Sequence, residues 1–249
     1  MGERRTASIA ARHLAARALL TLCFVDFLKK VFTPLTGETP PDSVPAGQPR
    51  GWETADTAPF HRKSIGLGHF FDSFPDAPHL EILDLGGICE SNVNYLSRMG
   101  CRIHAFDLLP NYDRYREALS GRRFDPETAR QFVEEYFQFP PEHFHAVFAW
   151  DCLEYLESDV LQLTVSRLAQ VMRPTGPLLS FFHTQARGEV VPVHRYQIED
   201  AQTLLLRTRQ SRPLPSTFNN RGLERLFGGF ESIKFFLTRD SLREVIVLR

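Results

Sequence analysis

Residues 81–108 constrain the fold of this chain more tightly than any other stretch of its sequence. A short apolar run, residues 81–85, ends at Gly86 and Gly87, and a polar cluster that can start a helix follows at residues 89–94. A second apolar run ends at Asp107. A strand, a glycine turn, a helix and a further strand are the parts of a parallel βαβ unit. The sequence therefore predicts an α/β fold built on a mainly parallel sheet.

Asp107 indicates what this unit binds. It closes the second strand 21 residues after Gly86, the place from which an acid binds the two hydroxyls of a ribose. A dinucleotide site usually spaces three glycines so that backbone amides reach a pyrophosphate, but here Ile88 would crowd that group and Glu90 would repel it. The turn therefore favours a cofactor with a ribose and no phosphate, such as S-adenosylmethionine, whose positive charge suits Asp84 and the nearby Glu90. The alternative is an ordinary buried turn whose glycines only reverse the chain.

Four blocks of the sequence together resemble the class I S-adenosylmethionine-dependent methyltransferases. The Asp-Leu-Gly-Gly run at residues 84–87 looks like the first motif of that family, and residues 107–108 look like its acidic position after the second strand. Residues 137–148 resemble the segment that leads into the fourth strand, and residues 151–156 resemble the Asp-x-Leu-Glu-His-Leu run that closes it. The resemblance covers about residues 65–249.

The chain departs from the family pattern in two of these blocks. Ile88 and Glu90 stand where the first motif usually has glycines, and Tyr155 stands where the family has a histidine. For residues 60–249 the resemblance implies a Rossmann-like, seven-stranded methyltransferase sheet, mainly parallel, with a C-terminal antiparallel hairpin.

The resemblance also implies which residues hold S-adenosylmethionine. Gly86 and Gly87 would let the backbone approach its methionine part, and Asp107 would accept hydrogen bonds from its ribose hydroxyls. Leu108 would pack against its adenine. Asp151 would lie near its amino end, although an aspartate before a helix is also a favoured cap. The predicted cofactor-binding residues are Asp84, Gly86, Gly87, Asp107, Leu108 and Asp151.

Methyl transfer is an in-line displacement for which the protein mainly supplies proximity and alignment. A general base is needed when the acceptor must lose a proton, and His183, after the fifth predicted strand, is the first candidate. His194 and Tyr196 are the next candidates, and a lone histidine is more often structural. Arg187, His194 and Arg195 could instead contact an anionic substrate.

Composition excludes several classes of function. The formal net charge is −1 and no long basic run occurs, which argues against an electrostatic nucleic-acid binder. The four cysteines form no Cys-x-x-Cys pair, and no histidine cluster has the spacing of metal ligands. The sequence therefore predicts a reducing, cytoplasmic location and no metal site.

Residues 1–59 are predicted to form an N-terminal helical arm and a proline-rich linker. Residues 7–32 show apolar positions at helical spacing. The uncharged stretch at residues 18–25 is far shorter than the roughly 20 residues that a membrane span needs. The arm would pack on the domain or cover the cofactor, with membrane-surface or partner contact as the alternative.

Three functions follow in order of support. The first is S-adenosylmethionine-dependent methyl transfer to a small-molecule acceptor that the sequence does not identify. The second is a methyltransferase-like domain that binds a ligand or partner without catalysis, which the divergent turn favours. The third is a nicotinamide-dependent oxidoreductase, which the missing glycines and the lack of a second substrate domain disfavour.

Overall fold

The computed structural model describes residues 58–122, 124–238 and 240–249. The predicted arm and nearly all of the linker, residues 1–57, lie outside the described residues. Within them, the predicted mixed α/β fold with a parallel core is confirmed. No helix in the described ranges is long and apolar enough to cross a membrane.

Six strands form the main sheet, in the order β3-β2-β4-β5-β9-β8. The four parallel strands are β2 (Glu81–Asp84), β3 (Arg102–Ala105), β4 (Ala146–Trp150) and β5 (Pro177–His183). The last strand, β9 (Leu242–Leu248), runs antiparallel both to β5 and to β8 (Ser232–Phe236). β4 and β5 are buried along their whole length, as expected for central strands of a covered parallel sheet.

Three of the helices have a side-chain cap at their first turn, and the described residues form six helices in all. They are α1 (Ile65–Asp72), α2 (Glu90–Arg98), α3 (Leu108–Ala118), α4 (Pro126–Tyr136), α5 (Ser158–Val171) and α6 (Asn220–Leu226), with a short 3-10 turn at Leu153–Tyr155. The Ser64 hydroxyl caps α1 by accepting a hydrogen bond from the Leu67 N–H. Asn219 caps α6 through the Gly222 N–H in the same way. Such caps satisfy amides that the first helical turn leaves unpaired.

The prediction of a seven-stranded sheet is wrong for the described residues, because the main sheet has six strands. The segment between α3 and β4 supplies α4 and no further strand beside β3. Asp125 caps this helix and Pro126 begins it, which favours a helix over a strand. Ala129, Phe132 and Val133 recur at helical spacing and bury one face of α4.

Three antiparallel strands form a second sheet that the sequence analysis did not predict. They are β1 (Phe60–Lys63), β6 (Val190–Asp200) and β7 (Thr203–Pro213), in the order β1-β7-β6. We call β6 and β7 together the covering hairpin. In α2, the Asn92 side-chain amide donates to the Tyr196 carbonyl (3.0 Å) and accepts from the Ile198 N–H (2.8 Å). This buried amide fixes the covering hairpin beside the glycine turn.

A buried ion pair joins the two sheets. Arg62 of β1 is 5 % exposed, and its Nη1 atom lies 2.5 Å from Oε1 of Glu244 in β9, which is fully buried. The Gly66 N–H donates to the other oxygen of Glu244, and Asp240 accepts from Nε of Arg62. Burial alone would lower the pKa of Arg62, but Asp240 and Glu244 outweigh it and the pKa is raised. The guanidinium therefore stays charged inside the protein.

We predict that Arg62→Ala destabilises the protein by about 3–5 kcal/mol, because it leaves the Glu244 carboxylate buried without its partner. The measurement is the free energy of unfolding in urea. The control is Arg130→Ala, which removes two ion pairs between exposed side chains on α4, with Glu127 and Glu134, and should change stability little. Equal losses in the two variants would contradict a structural role for the buried pair.

Candidate functional site

Three acids meet at the carboxyl edge of the parallel strands. Asp84 ends β2, Asp107 follows β3, and Asp151 follows β4. Asp84 and Asp151 line one small cavity. Arg209 lines it too, and the Arg209 guanidinium is bonded to Asp107 at the border of the cavity. Carboxyl ends of strands are where open α/β sheets bind ligands. The structure therefore brings together the acids that the sequence singled out.

The glycine turn is packed so closely that neither glycine can carry a side chain. Gly87 has a φ of +79°, and a Cβ built on it would lie 2.7 Å from Oδ2 of Asp107. A Cβ on Gly86 would lie 2.6 Å from Cδ1 of Trp150. Ile88 is 73 % exposed and Glu90 is exposed as well. The two residues that depart from the family pattern therefore point away from the turn and do not fill it.

Asp84 holds the glycine turn in place through hydrogen bonds. Its buried carboxylate accepts hydrogen bonds from the Trp150 indole N–H (2.7 Å) and the Gly86 N–H (2.9 Å), with the Asn92 amide at 3.4 Å. Burial raises the pKa of Asp84 to about 6, and these hydrogen bonds only partly offset the burial. The predicted contact of Asp84 with a cofactor stays a prediction.

Asp107 is already paired within the chain. Nη2 of Arg209, on β7 of the covering hairpin, lies 3.1 Å from Oδ2 of Asp107, and Nη1 lies 3.3 Å from Oδ1. A guanidinium facing both carboxylate oxygens in this way makes a fork-shaped, charge-assisted contact. Burial alone would lower the pKa of Arg209, but Asp107 outweighs it and the pKa is raised. The group predicted to bind a ribose therefore binds an arginine in this structure.

An aromatic stack closes the cleft next to Gly86. The Trp150 ring lies parallel to the Tyr196 ring, with centroids 5.1 Å apart, and Phe148 and Phe181 extend the stack. Trp150 has a φ of +46°, a strained conformation for a bulky residue. The cavity that remains measures about 10 Å³, roughly the space of one water molecule. Ligand pockets usually measure several hundred Å³, so the residues as placed do not fit S-adenosylmethionine.

Asp151 does not cap a helix, which was the alternative role for it. Its Oδ2 accepts from the backbone N–H of His194 in β6 (3.0 Å), and Oδ1 has no hydrogen-bond partner among the described residues. Burial raises the pKa of Asp151 to about 7. Burial also lowers the pKa of His194, to about 4. The carboxyl group therefore contacts the covering hairpin and is held in a site that favours its neutral form.

His183, the predicted base, forms a buried pair with Glu154. Its Nδ1 lies 2.5 Å from Oε1 of Glu154, whose Oε2 accepts from the His183 backbone N–H (2.7 Å). Burial alone would lower the pKa of His183, but Glu154 outweighs it and the pKa is raised. A carboxylate that orients an imidazole is part of many catalytic sites. A raised pKa, however, keeps more of the ring protonated at neutral pH, and the protonated ring cannot accept a proton. The catalytic role of His183 stays a prediction.

The cavity is lined partly by residues that the sequence analysis did not select. Leu108 is buried in the core, and Leu109 lines the cavity instead. Trp150, Tyr196 and Arg209 line it too. Tyr196 had been considered only as a possible base. The sequence holds no signal for the pairing of Arg209 with Asp107, since it depends on the register of the covering hairpin.

Comparison with known proteins gives remote likenesses. No protein-family model matches the chain, and no curated protein matches it. Among solved structures, it is similar to a 1,6-didemethyltoxoflavin-N1-methyltransferase of Burkholderia thailandensis, at 14 % identity over 69 % of this chain and 72 % of that chain, with a TM-score of 0.39. A S-adenosylmethionine-dependent methyltransferase of Methanosarcina mazei is 13 % identical over 72 % and 96 %, with a TM-score of 0.43.

A third similar structure is phosphoethanolamine N-methyltransferase 2 of Haemonchus contortus, solved with S-adenosylmethionine. It is 13 % identical over 74 % of this chain and 52 % of that chain, with a TM-score of 0.40. These three proteins are of the kind that the sequence resembles.

We predict that Asp151 makes stability fall as pH rises from about 4 to about 7. Its pKa is about 7 in the folded protein against an ordinary value of 3.8, so in this window the folded state holds a proton that the unfolded state has lost. Asp151→Asn removes this penalty and should raise the free energy of unfolding at pH 8 by up to about 4 kcal/mol. At pH 4 the gain should vanish.

The measurement is urea unfolding of the parent and Asp151→Asn at pH 4 and pH 8. The control is Thr164→Val, a buried substitution that alters no ionisable group and should change stability equally at both pH values. A difference between Asp151→Asn and the parent that is the same at both pH values would contradict the raised pKa.

Proposed function

We propose that this domain carries out S-adenosylmethionine-dependent methyl transfer. The observation that supports the proposal is the glycine turn packed directly against Asp107 at the carboxyl edge of the parallel strands. An acid that follows the second strand of a βαβ unit suits the hydroxyls of a ribose. Asp84 and Asp151 add carboxyl groups whose ionised form a positively charged ligand would favour. The acceptor that we propose is a small molecule of unidentified class.

This proposal requires the cleft to open. Arg209 must leave the Asp107 carboxylate, and the stack of Trp150 on Tyr196 must move away from Gly86, before a ligand of nucleoside size can enter. Arg209 is partly exposed and is held mainly by one ion pair, so its displacement costs little. The aromatic stack belongs to the buried core, so its movement costs more. When bound, S-adenosylmethionine would supply an electrophilic methyl group.

A second function is favoured by the closed cleft itself. If Arg209, Trp150 and Tyr196 fill the site permanently, the domain keeps the methyltransferase architecture and binds a ligand or partner without catalysis. A nicotinamide-dependent oxidoreductase has less support, because a dinucleotide is larger than S-adenosylmethionine and needs glycines that the turn lacks. The first two functions differ in one measurable property, the affinity of the chain for S-adenosylmethionine.

We predict that Arg209→Ala binds S-adenosylmethionine up to about five-fold more tightly than the parent, because Asp107 no longer has to give up an ion pair. Isothermal titration calorimetry on the full chain measures the affinity. Arg207→Ala is the matched control, since this arginine lies on the same strand, is exposed, and bonds to Gln197. It should bind like the parent. Asp107→Ala should lose roughly ten- to hundred-fold in affinity through the lost charge-assisted hydrogen bonds.

Transfer itself is measured with S-adenosylmethionine carrying a labelled methyl group, incubated with Arg209→Ala and a metabolite extract. A labelled product that the Asp107→Ala protein does not form would support methyl transfer. Folded Arg209→Ala protein that releases no heat with S-adenosylmethionine, even at millimolar ligand, would contradict the proposal and favour the non-catalytic function.

A further inference from the structure

A cluster of two histidines and one glutamate lies outside the cleft, on β2, β3 and the segment that leads into β4. Glu81 is the first residue of β2, His104 belongs to β3, and His143 precedes β4. One carboxylate oxygen and one ring nitrogen from each histidine lie within 4.8 Å of one another. Glu81 and Asp84 lie roughly 10 Å apart along β2 and, being three residues apart, point to opposite faces of the sheet, while His104 is level with Leu83. The cluster therefore belongs to neither the cleft nor the buried His183 pair.

The backbone holds these three residues in fixed positions. Glu81 is in register with Arg102 of β3, and its carbonyl accepts from the His145 N–H (2.8 Å). The N–H of His143 donates to the Val171 carbonyl at the end of α5 (2.8 Å). The three donor side chains thus extend from two paired strands and a segment anchored to a helix. Donors on a rigid frame can keep a metal geometry that loops would lose.

The side chains present the atoms that a transition metal prefers. Two imidazoles and one carboxylate are a three-ligand set known from zinc sites that keep a fourth position open. Nε2 of His104 lies 2.8 Å from Oε2 of Glu81, and the ring centroids of His104 and His143 are 5.3 Å apart. Tetrahedral zinc bonds of about 2.0–2.2 Å place ligand atoms roughly 3.3 Å from one another. Small side-chain rotations would reach that spacing.

The surroundings suit an exchangeable ion. The Glu81 side chain is 17 % exposed and that of His104 is 31 % exposed, so an ion can enter from water and keep water as a further ligand. Nη1 of Arg102 lies 3.4 Å from Oε1 of Glu81, the carboxylate oxygen that His104 does not use, and can orient the carboxylate as an outer partner. The positive charge of Arg102 also repels a nearby cation. We therefore expect a moderate affinity for the metal ion.

We propose that Glu81, His104 and His143 form a Zn²⁺ site. The spacing along the sequence gave no sign of it, because Glu81 and His104 are 23 residues apart and His143 lies farther on. Register within the sheet brings the three together. The competing interpretation is a Glu81–His104 ion pair with His143 as a bystander. The two interpretations differ in whether a single ion binds with defined stoichiometry and whether His143 is needed for binding.

The test uses the full chain freed of metal by a chelator. Titration with ZnCl₂ in a calorimeter should give one saturable ion per chain with a micromolar dissociation constant, and Co²⁺ should give the visible absorption of a four-coordinate site. Zn²⁺ should also raise the melting temperature. Glu81→Gln and His143→Ala should each weaken Zn²⁺ binding at least ten-fold and abolish the Co²⁺ absorption, with circular dichroism showing that both variants fold.

The matched control is His61→Ala. His61 and Glu199 form an exposed histidine–glutamate pair, 2.6 Å apart, on β1 and β6, and no third donor joins them among the metal-ligand clusters of the described residues. His61→Ala should bind Zn²⁺ like the parent. Equal binding by the parent, Glu81→Gln and His143→Ala would overturn the site, as would a parent that binds no ion with defined stoichiometry. Neither result depends on methyl transfer, because S-adenosylmethionine is absent from the titration.

Discussion

The hydrogen bond from the Trp150 indole to Asp84 determines the shape of the whole carboxyl edge. It joins the ends of β2 and β4, and the same carboxylate binds the Gly86 N–H. Trp150 takes a left-handed backbone conformation there, which is costly for a large side chain and persists only where the surroundings enforce it. The indole then forms the flat surface on which Tyr196 of the covering hairpin stacks. Turn, strand ends and hairpin thus depend on one buried contact.

The two proposed functions differ physically in whether the cleft opens. An open cleft would give up the stack of Trp150 on Tyr196 and the pairing of Arg209 with Asp107. The first is apolar and buried, and the second is a partly exposed ion pair. Burial of aromatic area is worth more than a partly exposed ion pair. Arg209 is therefore easier to displace from the cleft than the aromatic stack. Whether a cofactor of nucleoside size can enter depends on the movement of that stack.

The sequence predicted those features of the fold that depend on residues close together along the chain. The βαβ unit around the glycine turn and the meeting of Asp84, Asp107 and Asp151 follow from strand polarity. The number of strands did not follow, because the family resemblance implied seven strands and the segment before β4 forms the helix that Asp125 caps. The covering hairpin was missed, and with it the partner of Asp107. Bulges shift its register, and a one-residue slip would turn Arg209 to the other face, so no local signal could identify this pair.

The acids at the two ends of β2 lie in different environments. Asp84 is buried, bonded by the protein and covered by the hairpin, whereas Glu81 is partly exposed beside two imidazoles. Because side chains alternate along a strand, residues three apart point to opposite faces of the sheet. A ligand at one end therefore does not touch the acid at the other. The metal site and the cofactor cleft share a strand but not an environment, so each can be occupied or empty without the other.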